Sequence, residues 1–354
     1  MPHRIGLLGL VHDHIWHHVP ELVQRPDVVL AAADPHPPLL EKIRREYGVE
    51  RTYLSYEELL DKERPEAVLV YLPNGAKAEV VEMAANRGIH IWLEKPFAAR
   101  LAQAERMLAA ARANGVLLMV NWPTAWHPAI VHALELARQG VVGEIFQVRV
   151  RMGHTGPKEY GCSEYFWRWL YDRQLNGAGA YIDYCCYGAN IIRYLLGQPT
   201  RVMAMAGRLQ KTSITVDDNA VLLTRHHHAI GIAEASWTQV GQRPTGGPII
   251  YGSDGVIIVH REGGTREGHV VRTGQVEVIT RQKPQGEIID PPELPVGRRS
   301  ATEFFLRALE TGEPITGLCS DLIARDTQEI LEAGLIAIET GQEVSLPLDT
   351  RIAV

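Results

Sequence analysis

The stretch Arg4–Gly9, RIGLLG, is a continuous apolar run that predicts a buried strand, and a helix is predicted directly after it at Ile15–Gln24. The same alternation continues, with strands predicted at Val28–Ala33, Ala67–Leu72, Ile89–Leu93 and Val116–Val120, and helices at Leu39–Tyr47, Ala76–Arg87 and Leu101–Asn114. Strands this apolar need cover on both faces, and strand–helix alternation implies right-handed crossovers. Residues 1–121 are therefore predicted to form a domain with a doubly wound parallel sheet, an α/β fold.

The pattern changes after Asn121, where strands with one wet face replace the fully apolar runs. Strands are predicted at Glu144–Met152, Arg201–Ala206, Ala220–His226, Ile230–Gln239, Ile249–Tyr251, Val256–His260 and Val270–Thr280. Helices are predicted at Ala129–Gln139, Tyr181–Leu196, Ser300–Glu310 and Asp321–Thr340, with a loop at Lys283–Gly297. We expect residues 122–354 to form an α+β domain with a large, mostly antiparallel open sheet, and the last helix to pack back on the first domain.

The composition is that of a soluble globular protein, with 354 residues, 45% hydrophobic and 22% charged. A net charge of −6 gives no electrostatic basis for binding nucleic acid or an anionic membrane. The four cysteines are too few and too irregular for a disulfide framework, which indicates a reducing compartment. No apolar run approaches the roughly 20 residues of a membrane span, and a signal peptide is not recognised, so we expect a cytoplasmic protein.

The turn after the first strand lies where a dinucleotide phosphate binds in such sheets. The full fingerprint has three glycines. Gly9 supplies the first, whereas Val11 and His14 stand at the other two positions and His12 lies between them. Asp34 follows the second strand, and a carboxylate there accepts hydrogen bonds from a ribose diol and repels a 2′-phosphate. Together these residues favour NAD over NADP.

Histidine is in excess, with 15 residues, and four of them crowd this turn: His12, His14, His17 and His18. His14, His17 and His18 have the spacing of one helical face, which can chelate a transition metal. They can equally donate to a phosphate or substrate, or form a polar surface without a ligand. All three interpretations are open, and no metal ligand is assigned. The triplet His226–His228 is predicted to lie in a strand and to be a surface feature.

Glu94-Lys95-Pro96 follows the fourth predicted strand, at the sheet edge where ligands bind in this class of fold. A lysine there can polarise a substrate oxygen or lower the pKa of a neighbouring acid. A solvated lysine at a strand end is the alternative.

Two segments carry a resemblance to a known family. Residues 67–97, AVLVYLPNGAKAEVVEMAANRGIHIWLEKPF, and residues 177–197, GAGAYIDYCCYGANIIRYLLG, resemble the most distinctive stretches of the glucose-fructose oxidoreductase/inositol dehydrogenase (Gfo/Idh/MocA) family. Tyr187 takes the place of the family's histidine, as in its glucose-fructose oxidoreductase and dihydrodiol dehydrogenase branches. The resemblance implies a Rossmann domain that binds NAD through residues including Pro73, Asn74, Glu94 and Lys95. This sequence differs at Lys77, where the family usually has histidine.

The resemblance implies a catalytic role for Lys95, Asp183 and Tyr187. Asp183 and Tyr187 are four apart on a predicted helix and therefore face the same side. Hydride transfer from an alcohol requires removal of its proton, and an adjacent ammonium lowers the pKa of a tyrosine. Tyr187 is thus predicted to be the acid/base, Lys95 its activator and Asp183 the orienting group. The Lys95–Pro96 bond is expected to be cis, as it often is in the family.

Aromatic faces stack on sugar rings, so six side chains are candidates for a substrate cleft, although core packing explains each of them equally well: Trp122, Trp126, His154, Tyr160, Trp167 and Trp169.

The sequence as a whole predicts an NAD-dependent oxidoreductase acting on a sugar, cyclic polyol or related small molecule, and forming a homodimer or homotetramer through the open sheet. Two alternatives remain: an NAD-using glycoside-cleaving or epimerising enzyme without net redox change, and a non-catalytic ligand sensor with a degenerate phosphate loop.

Overall fold

The first sheet decides the architecture. In the computed structural model, which describes residues 2–241, 247–260, 264–266 and 269–348, six strands lie side by side and all pair in parallel. They are β1 (His3–Leu8), β2 (Val28–Ala33), β3 (Thr52–Tyr53), β4 (Ala67–Val70), β5 (His90–Glu94) and β6 (Leu118–Asn121). Their order is β3-β2-β1-β4-β5-β6, so the direction of winding reverses between β1 and β4. The predicted doubly wound sheet is confirmed, and its switch point lies at the carboxyl ends of β1 and β4.

Five helices cover this sheet: α1 (Ile15–Val23), α2 (Pro37–Tyr47), α3 (Tyr56–Glu63), α4 (Lys77–Ala85) and α5 (Leu101–Ala113). The central strands are buried along their length, as in β4, because helices pack on both faces. The short β3 and the helix α3 were not predicted. The α3 sequence is strongly charged, and its start is fixed by the Ser55 side chain, which accepts the Glu58 N–H.

The second sheet contains nine strands in the order β16-β15-β12-β11-β7-β10-β9-β8-β17. All neighbours are antiparallel except β7 and β10. The strands are β7 (Ile145–Gly153), β8 (Arg201–Gly207), β9 (Asn219–Arg225), β10 (Ile230–Ser236), β11 (Ile249–Gly252), β12 (Gly255–His260), β15 (Gln275–Thr280), β16 (Glu287–Ile289) and β17 (Val344–Ser345). The ribbon of β13 (Gly264–Arg266) and β14 (His269–Val271) is separate. The predicted mostly antiparallel sheet is confirmed.

Six helices accompany the second sheet: α6 (Pro128–Arg138), α7 (Glu164–Leu170), α8 (Arg173–Asn176), α9 (Cys186–Leu196), α10 (Ala301–Thr311) and α11 (Asp321–Thr340). A π-helical turn at Tyr181–Cys185 leads into α9. One face of the sheet packs against α9 and α11. On β9, buried and exposed residues alternate strictly, so the opposite face of the sheet is open to solvent.

The long helix α11 also contacts α5 of the first sheet. Gln328 accepts the N–H of Ala98 at 3.1 Å, and the buried Glu332 carboxylate accepts the N–H of Leu101 at 3.0 Å. Glu332 also pairs with the Arg100 guanidinium. The loop that follows β5 is therefore held by α11.

Several local predictions need correction. The triplet His226–His228 lies in the turn between β9 and β10, and His226 is buried whereas the other two are exposed. The helices α7 and α8 were missed, and the predicted loop Lys283–Gly297 contains β16. Among the described residues, no helix is long and apolar enough to cross a membrane.

Candidate functional site

Lys95 follows β5 at the carboxyl edge of the first sheet, and its peptide bond to Pro96 is cis, as expected. Its side chain is buried and reaches the second domain. The ammonium lies 2.7 Å from Asp183 Oδ1 and 3.2 Å from the Asp183 carbonyl oxygen. It also lies over the ring of Tyr187, 4.7 Å from the centroid. The three predicted catalytic residues are thus brought together.

The glycine-rich turn before α9 explains how Asp183 and Tyr187 reach Lys95. Asp217 anchors this turn, because its carboxylate accepts the N–H groups of Gly179 and Tyr181, both at 2.7 Å. A Cβ on Gly179 would lie 1.9 Å from the Asp217 carbonyl oxygen, so only glycine allows this approach. The π-helical turn then places Asp183 and Tyr187 side by side.

The ionisation of these three groups is set by burial and by the ion pair. Burial by itself raises the pKa of the Asp183 carboxyl, but the Lys95 ammonium outweighs it and the net pKa lies below the ordinary value. Burial would lower the pKa of Lys95, yet Asp183 holds that pKa well above its usual range. Burial raises the pKa of Tyr187, and the nearby Lys95 offsets this only in part. Tyr187 is therefore a protonated phenol at neutral pH.

Two cavities meet at Tyr187. The first, of about 540 Å³, lies between α6 and the ends of β7 and β10, and includes Thr124, His127 and Arg151 in its lining. The second, of about 470 Å³, runs from the first turn of α1 to Lys95 and Asp183. Both are lined by His154, Tyr160, Tyr184 and Tyr187. This shared wall separates a cavity at the Rossmann edge from a cavity in the second domain.

The turn after β1 retains part of the dinucleotide cradle. Gly9 has φ +81°, and a Cβ there would lie 2.5 Å from the Leu72 side chain and 2.9 Å from the Tyr71 carbonyl oxygen. Val11 is buried, with 7% of its surface exposed, and the His12 ring packs edge-on against the His14 ring at 4.5 Å. Side chains thus fill part of the space that glycines leave open in the fingerprint.

Asp34, at the end of β2, is fully buried. Its Oδ2 accepts the Leu10 N–H at 2.6 Å, and its Oδ1 accepts the backbone N–H of His36 and contacts His36 Nδ1, both at 2.7 Å. The His36 side chain, which is about half exposed at 46%, covers Oδ1 on the solvent side. The tight turn at Gly9 and the carboxylate at the end of β2 stand where this class of sheet holds a dinucleotide, and neither residue is in the lining of the cavity beside α1.

The turn after β1, residues 9–14, leads into α1 and is called the α1 turn below. It is tied to the second domain through α7. Asp13 accepts the backbone N–H of Ser163 at 2.6 Å and also its hydroxyl. His12 is buried against Phe166, with ring centroids 4.5 Å apart, and contacts Trp169 at 5.7 Å. Sequence periodicity did not reveal α7, whose seven residues are mostly aromatic.

Glu94 is completely buried beside the histidines. Its Oε2 lies 2.8 Å from His14 Nδ1, and its Oε1 accepts the Asn121 amide at 2.6 Å. His18 Nδ1 lies 3.7 Å from Oε1 and 2.8 Å from the Tyr71 hydroxyl. Burial would raise the pKa of Glu94, but the histidines and the amide lower it to about 2. His14 stays close to His17 and His18, with ring centroids 6.4 and 6.5 Å away, but the side chains whose donor atoms converge are His12, His14 and Glu94.

Asn74 lies inside the protein and its amide group is engaged. Its Nδ2 donates to Asn176 Oδ1, and its Oδ1 accepts from the Lys77 ammonium, both at 2.8 Å. Lys77 also donates to the carbonyl oxygens of Glu94 and Pro96 at 2.6 Å, and burial lowers its pKa to about 7. Asn74 and Lys77 therefore support the loop that carries Lys95, and Asn74 is not in the lining of either cavity.

The predicted substrate residues separate into two groups. His154 and Tyr160 line both cavities and stack with ring centroids 4.9 Å apart. Trp122 is fully buried and touches Tyr187 edge-on at 6.0 Å, and Trp169 is buried against His12. Four of the six predicted cleft residues lie outside the lining of both cavities: Trp122, Trp126, Trp167 and Trp169. Packing accounts for the buried Trp122 and Trp169, whereas Trp167 is partly exposed and its contact with substrate stays a prediction.

The sequence did not point to Trp237, which directly follows β10 and donates its indole N–H to Asp183 Oδ2 at 3.1 Å. Nor did it indicate Thr124 or Arg151 in the cavity of the second domain. No sequence motif surrounds these residues, so their place in the site becomes evident only when the chain is folded.

A doubly wound sheet with an ion pair at its carboxyl edge and an open antiparallel sheet beyond it define a two-domain α/β protein with a buried polar centre between the sheets. Comparison with known proteins agrees. A sequence profile described as "Oxidoreductase family, NAD-binding Rossmann fold" matches residues 4–122, and one described as "GFO/IDH/MocA C-terminal domain" matches residues 130–258. The chain belongs to the Gfo/Idh/MocA family of oxidoreductases.

Named relatives include sugar and inositol enzymes. The chain is 28% identical over 64% of its length to dTDP-3,4-didehydro-2,6-dideoxy-alpha-D-glucose 3-reductase of Streptomyces antibioticus, and the match spans 67% of that protein. It is 24% identical to myo-inositol 2-dehydrogenase of Thermotoga maritima over 88% of this chain and 89% of that one. An oxidoreductase from Agrobacterium radiobacter, solved with NAD+, L-tartaric acid and magnesium, has the same fold, with TM-score 0.81, 20% identity and coverage of 98% of both chains.

Proposed function

We propose that this protein transfers hydride between a nicotinamide cofactor and a hydroxyl or carbonyl group of a sugar, cyclic polyol or related compound. The observation that carries the proposal is the position of Tyr187. This side chain lies beside the Lys95–Asp183 pair and on the wall shared by the two cavities. A substrate in the second-domain cavity and a cofactor in the cavity beside α1 would meet at this wall.

When bound, the cofactor would accept or donate the hydride at its nicotinamide ring. Tyr187 exchanges the hydroxyl proton of the substrate. Because burial raises the pKa of Tyr187, the ligand-free site holds this proton and is set to donate it to a developing alkoxide. Lys95 stabilises negative charge on that oxygen or on the phenolate, and Asp183 fixes the ammonium in place.

We propose NAD as the preferred cofactor. Gly9 forms the tight turn, Asp34 binds the adenosine ribose once His36 moves aside, and the cavity beside α1 receives the pyrophosphate. The Asp34 carboxylate disfavours a 2′-phosphate by charge repulsion.

The direct test measures NADH or NADPH formation and consumption over a panel of sugars, inositols and their keto forms. Tyr187→Phe and Lys95→Ala are each expected to lower kcat by about 100-fold or more with the best substrate, because a positioned proton donor or its activator is lost. Tyr194→Phe, on the same helix but paired with Arg138 at the surface, is the matched control and should retain activity. Full turnover by Tyr187→Phe would overturn the assignment.

One observation favours a second candidate, a ligand sensor without turnover. Val11 and His14 stand at the two other glycine positions of the fingerprint, and the buried Val11 and His12 fill part of the cradle. Calorimetry separates the two functions, because a sensor of this kind would show no heat of binding with NAD or NADP. Product formation without net NADH would instead support the cofactor-recycling glycoside-cleaving or epimerising enzyme.

We further propose that the open face of the second sheet forms a homodimer or homotetramer. Three neighbouring strands, β8, β9 and β10, expose apolar side chains there: Met205, Val221, Leu223 and Ile230. Met205 lies opposite Val221 in the register of β8 and β9. Contiguous apolar surface of this kind is typical of association sites.

A further inference from the structure

The α1 turn contains a second feature that hydride transfer does not use. His12, His14 and Glu94 each offer one donor atom, and these atoms lie within 4.8 Å of one another. His12 and His14 come from the turn after β1, and Glu94 is the last residue of β5. We propose that these three residues bind a divalent transition-metal ion, of the class of Zn²⁺, Fe²⁺ or Mn²⁺.

The donor set identifies the class of ion. Two imidazole nitrogens and one carboxylate oxygen are the ligands of many catalytic zinc sites and of two-histidine-one-carboxylate iron sites. Mg²⁺ and Ca²⁺ prefer all-oxygen coordination and are disfavoured by the two imidazoles. A role as metal ligand would also explain why position 14 is histidine, where the dinucleotide fingerprint has glycine.

The side chains are held in position by their neighbours, as metal ligands usually are. Asn121 donates to Glu94 Oε1 at 2.6 Å and so directs Oε2 towards His14, 2.8 Å away. His12 is 1% exposed, and in the described structure its ring makes a single hydrogen bond, a long one of 3.3 Å from the His14 N–H. A buried imidazole with so little hydrogen bonding can accept a stronger partner. His18, 3.7 Å from Glu94, is close enough to support the carboxylate.

The cluster is open on one side. His14 lines the cavity beside α1 together with Lys95, Asp183 and Tyr187. An ion with three protein ligands retains open coordination positions, the arrangement of catalytic rather than structural metal sites. The ammonium of Lys95 is neutralised by Asp183 at 2.7 Å, which limits its repulsion of a second cation. A bound ion would therefore be accessible to an oxygen atom of a ligand in this cavity.

The test uses the full-length protein without a histidine tag, stripped with a chelator and desalted. ZnCl₂, MnCl₂ and CoCl₂ are titrated by calorimetry, retained metal is measured by mass spectrometry, and the cobalt form is recorded by visible absorption. We expect about one equivalent of at least one of these metals to be retained, and cobalt bands typical of nitrogen and oxygen ligands.

Single-residue variants test which side chains bind the metal ion. His14→Ala and Glu94→Gln should each weaken metal binding at least tenfold, since each removes a ligand. His17→Ala is the matched control, because His17 lines the same cavity but is not in the cluster. His3→Ala tests the other described group of possible ligands, His3, Asp27 and Glu310 at the surface. Thermal unfolding is measured for every variant, and the partly exposed His14 gives the variant with the least risk to folding.

The proposal is overturned if the wild type retains no metal, if His14→Ala and Glu94→Gln bind as the wild type does, or if His3→Ala abolishes binding. A folding defect in Glu94→Gln leaves His14→Ala and the cobalt spectrum to decide. The titration requires neither cofactor nor substrate. A failure of metal binding therefore leaves the hydride-transfer proposal intact, and an inactive dehydrogenase assay leaves the metal site intact.

Discussion

At the scale of single residues, Tyr187 shows how an environment reverses an expectation from spacing. The sequence predicts that an ammonium near Tyr187 lowers its pKa. In the structure that ammonium is paired with Asp183 and lies over the ring face, and burial raises the pKa instead. The spacing of Asp183 and Tyr187 predicted that both project to one face, and the resemblance implied Lys95 as their partner. The balance of burial against charge, however, depends on packing from distant parts of the chain.

Asp34 is the residue on which the choice of cofactor depends. We expect Asp34→Asn to weaken NAD binding by about tenfold or more, because a charged hydrogen-bond acceptor for the ribose is lost. The ratio of the affinities for NAD and NADP should also decrease. Fluorescence titration with both cofactors measures the change.

Asp27→Asn is the matched control, since Asp27 is a surface carboxylate paired with Arg25. Asp34 also holds the Leu10 N–H, so the thermal stability of the variant is recorded alongside. Unchanged affinity for NAD in a folded Asp34→Asn protein would contradict the proposed role.

At the scale of elements, apolar strands were predicted well and short or aromatic elements poorly. The runs that became β1, β2, β4, β5 and β6 are buried on both faces, so hydrophobicity alone marks them. Helix α7 was missed because its seven residues, EYFWRWL, are shaped by packing on the α1 turn. The π-helical turn before α9 is likewise fixed by Asp217, which is 34 residues away from Asp183 in the numbering.

The turn between β9 and β10 makes stability depend on pH through His226. Burial lowers the pKa of His226 from 6.5 to about 4. The unfolded chain therefore binds a proton on this residue at a higher pH than the folded protein does, and stability falls as the pH decreases from 6.5 towards 4. We expect His226→Gln to flatten the decrease of Tm over this range.

His228→Gln, at the exposed end of the same turn, is the matched control and should leave the decrease unchanged. Calorimetric melting in a series of buffers provides both profiles. If the wild type and His226→Gln lose Tm in parallel as the pH falls, the proton is taken up elsewhere.

At the scale of the whole molecule, the open face of the second sheet is the candidate surface for association with further copies of the protein. We expect Val221→Lys combined with Leu223→Glu to shift the protein towards monomer, because charge is placed within an apolar surface. Light scattering coupled to size-exclusion chromatography measures the mass.

Leu322→Glu, on an exposed position of α11, is the matched control for an added surface charge. A wild-type protein that is monomeric at high concentration would contradict the proposed assembly. The alternation of apolar and polar residues predicted this sheet and its open face, whereas the apolar character of that face became evident only when neighbouring strands were placed in register.

The contacts of α11 have a consequence for biosynthesis. The backbone N–H groups of Ala98 and Leu101, just after Lys95, have their acceptors on Gln328 and Glu332, about 230 residues later in the chain. While the protein emerges from a ribosome, the first sheet can assemble early, but the loop that carries Lys95 lacks these partners until α11 has been synthesised. The candidate active site of a nascent chain is thus completed only after α11 has emerged, and a product terminated before α11 would lack these two contacts.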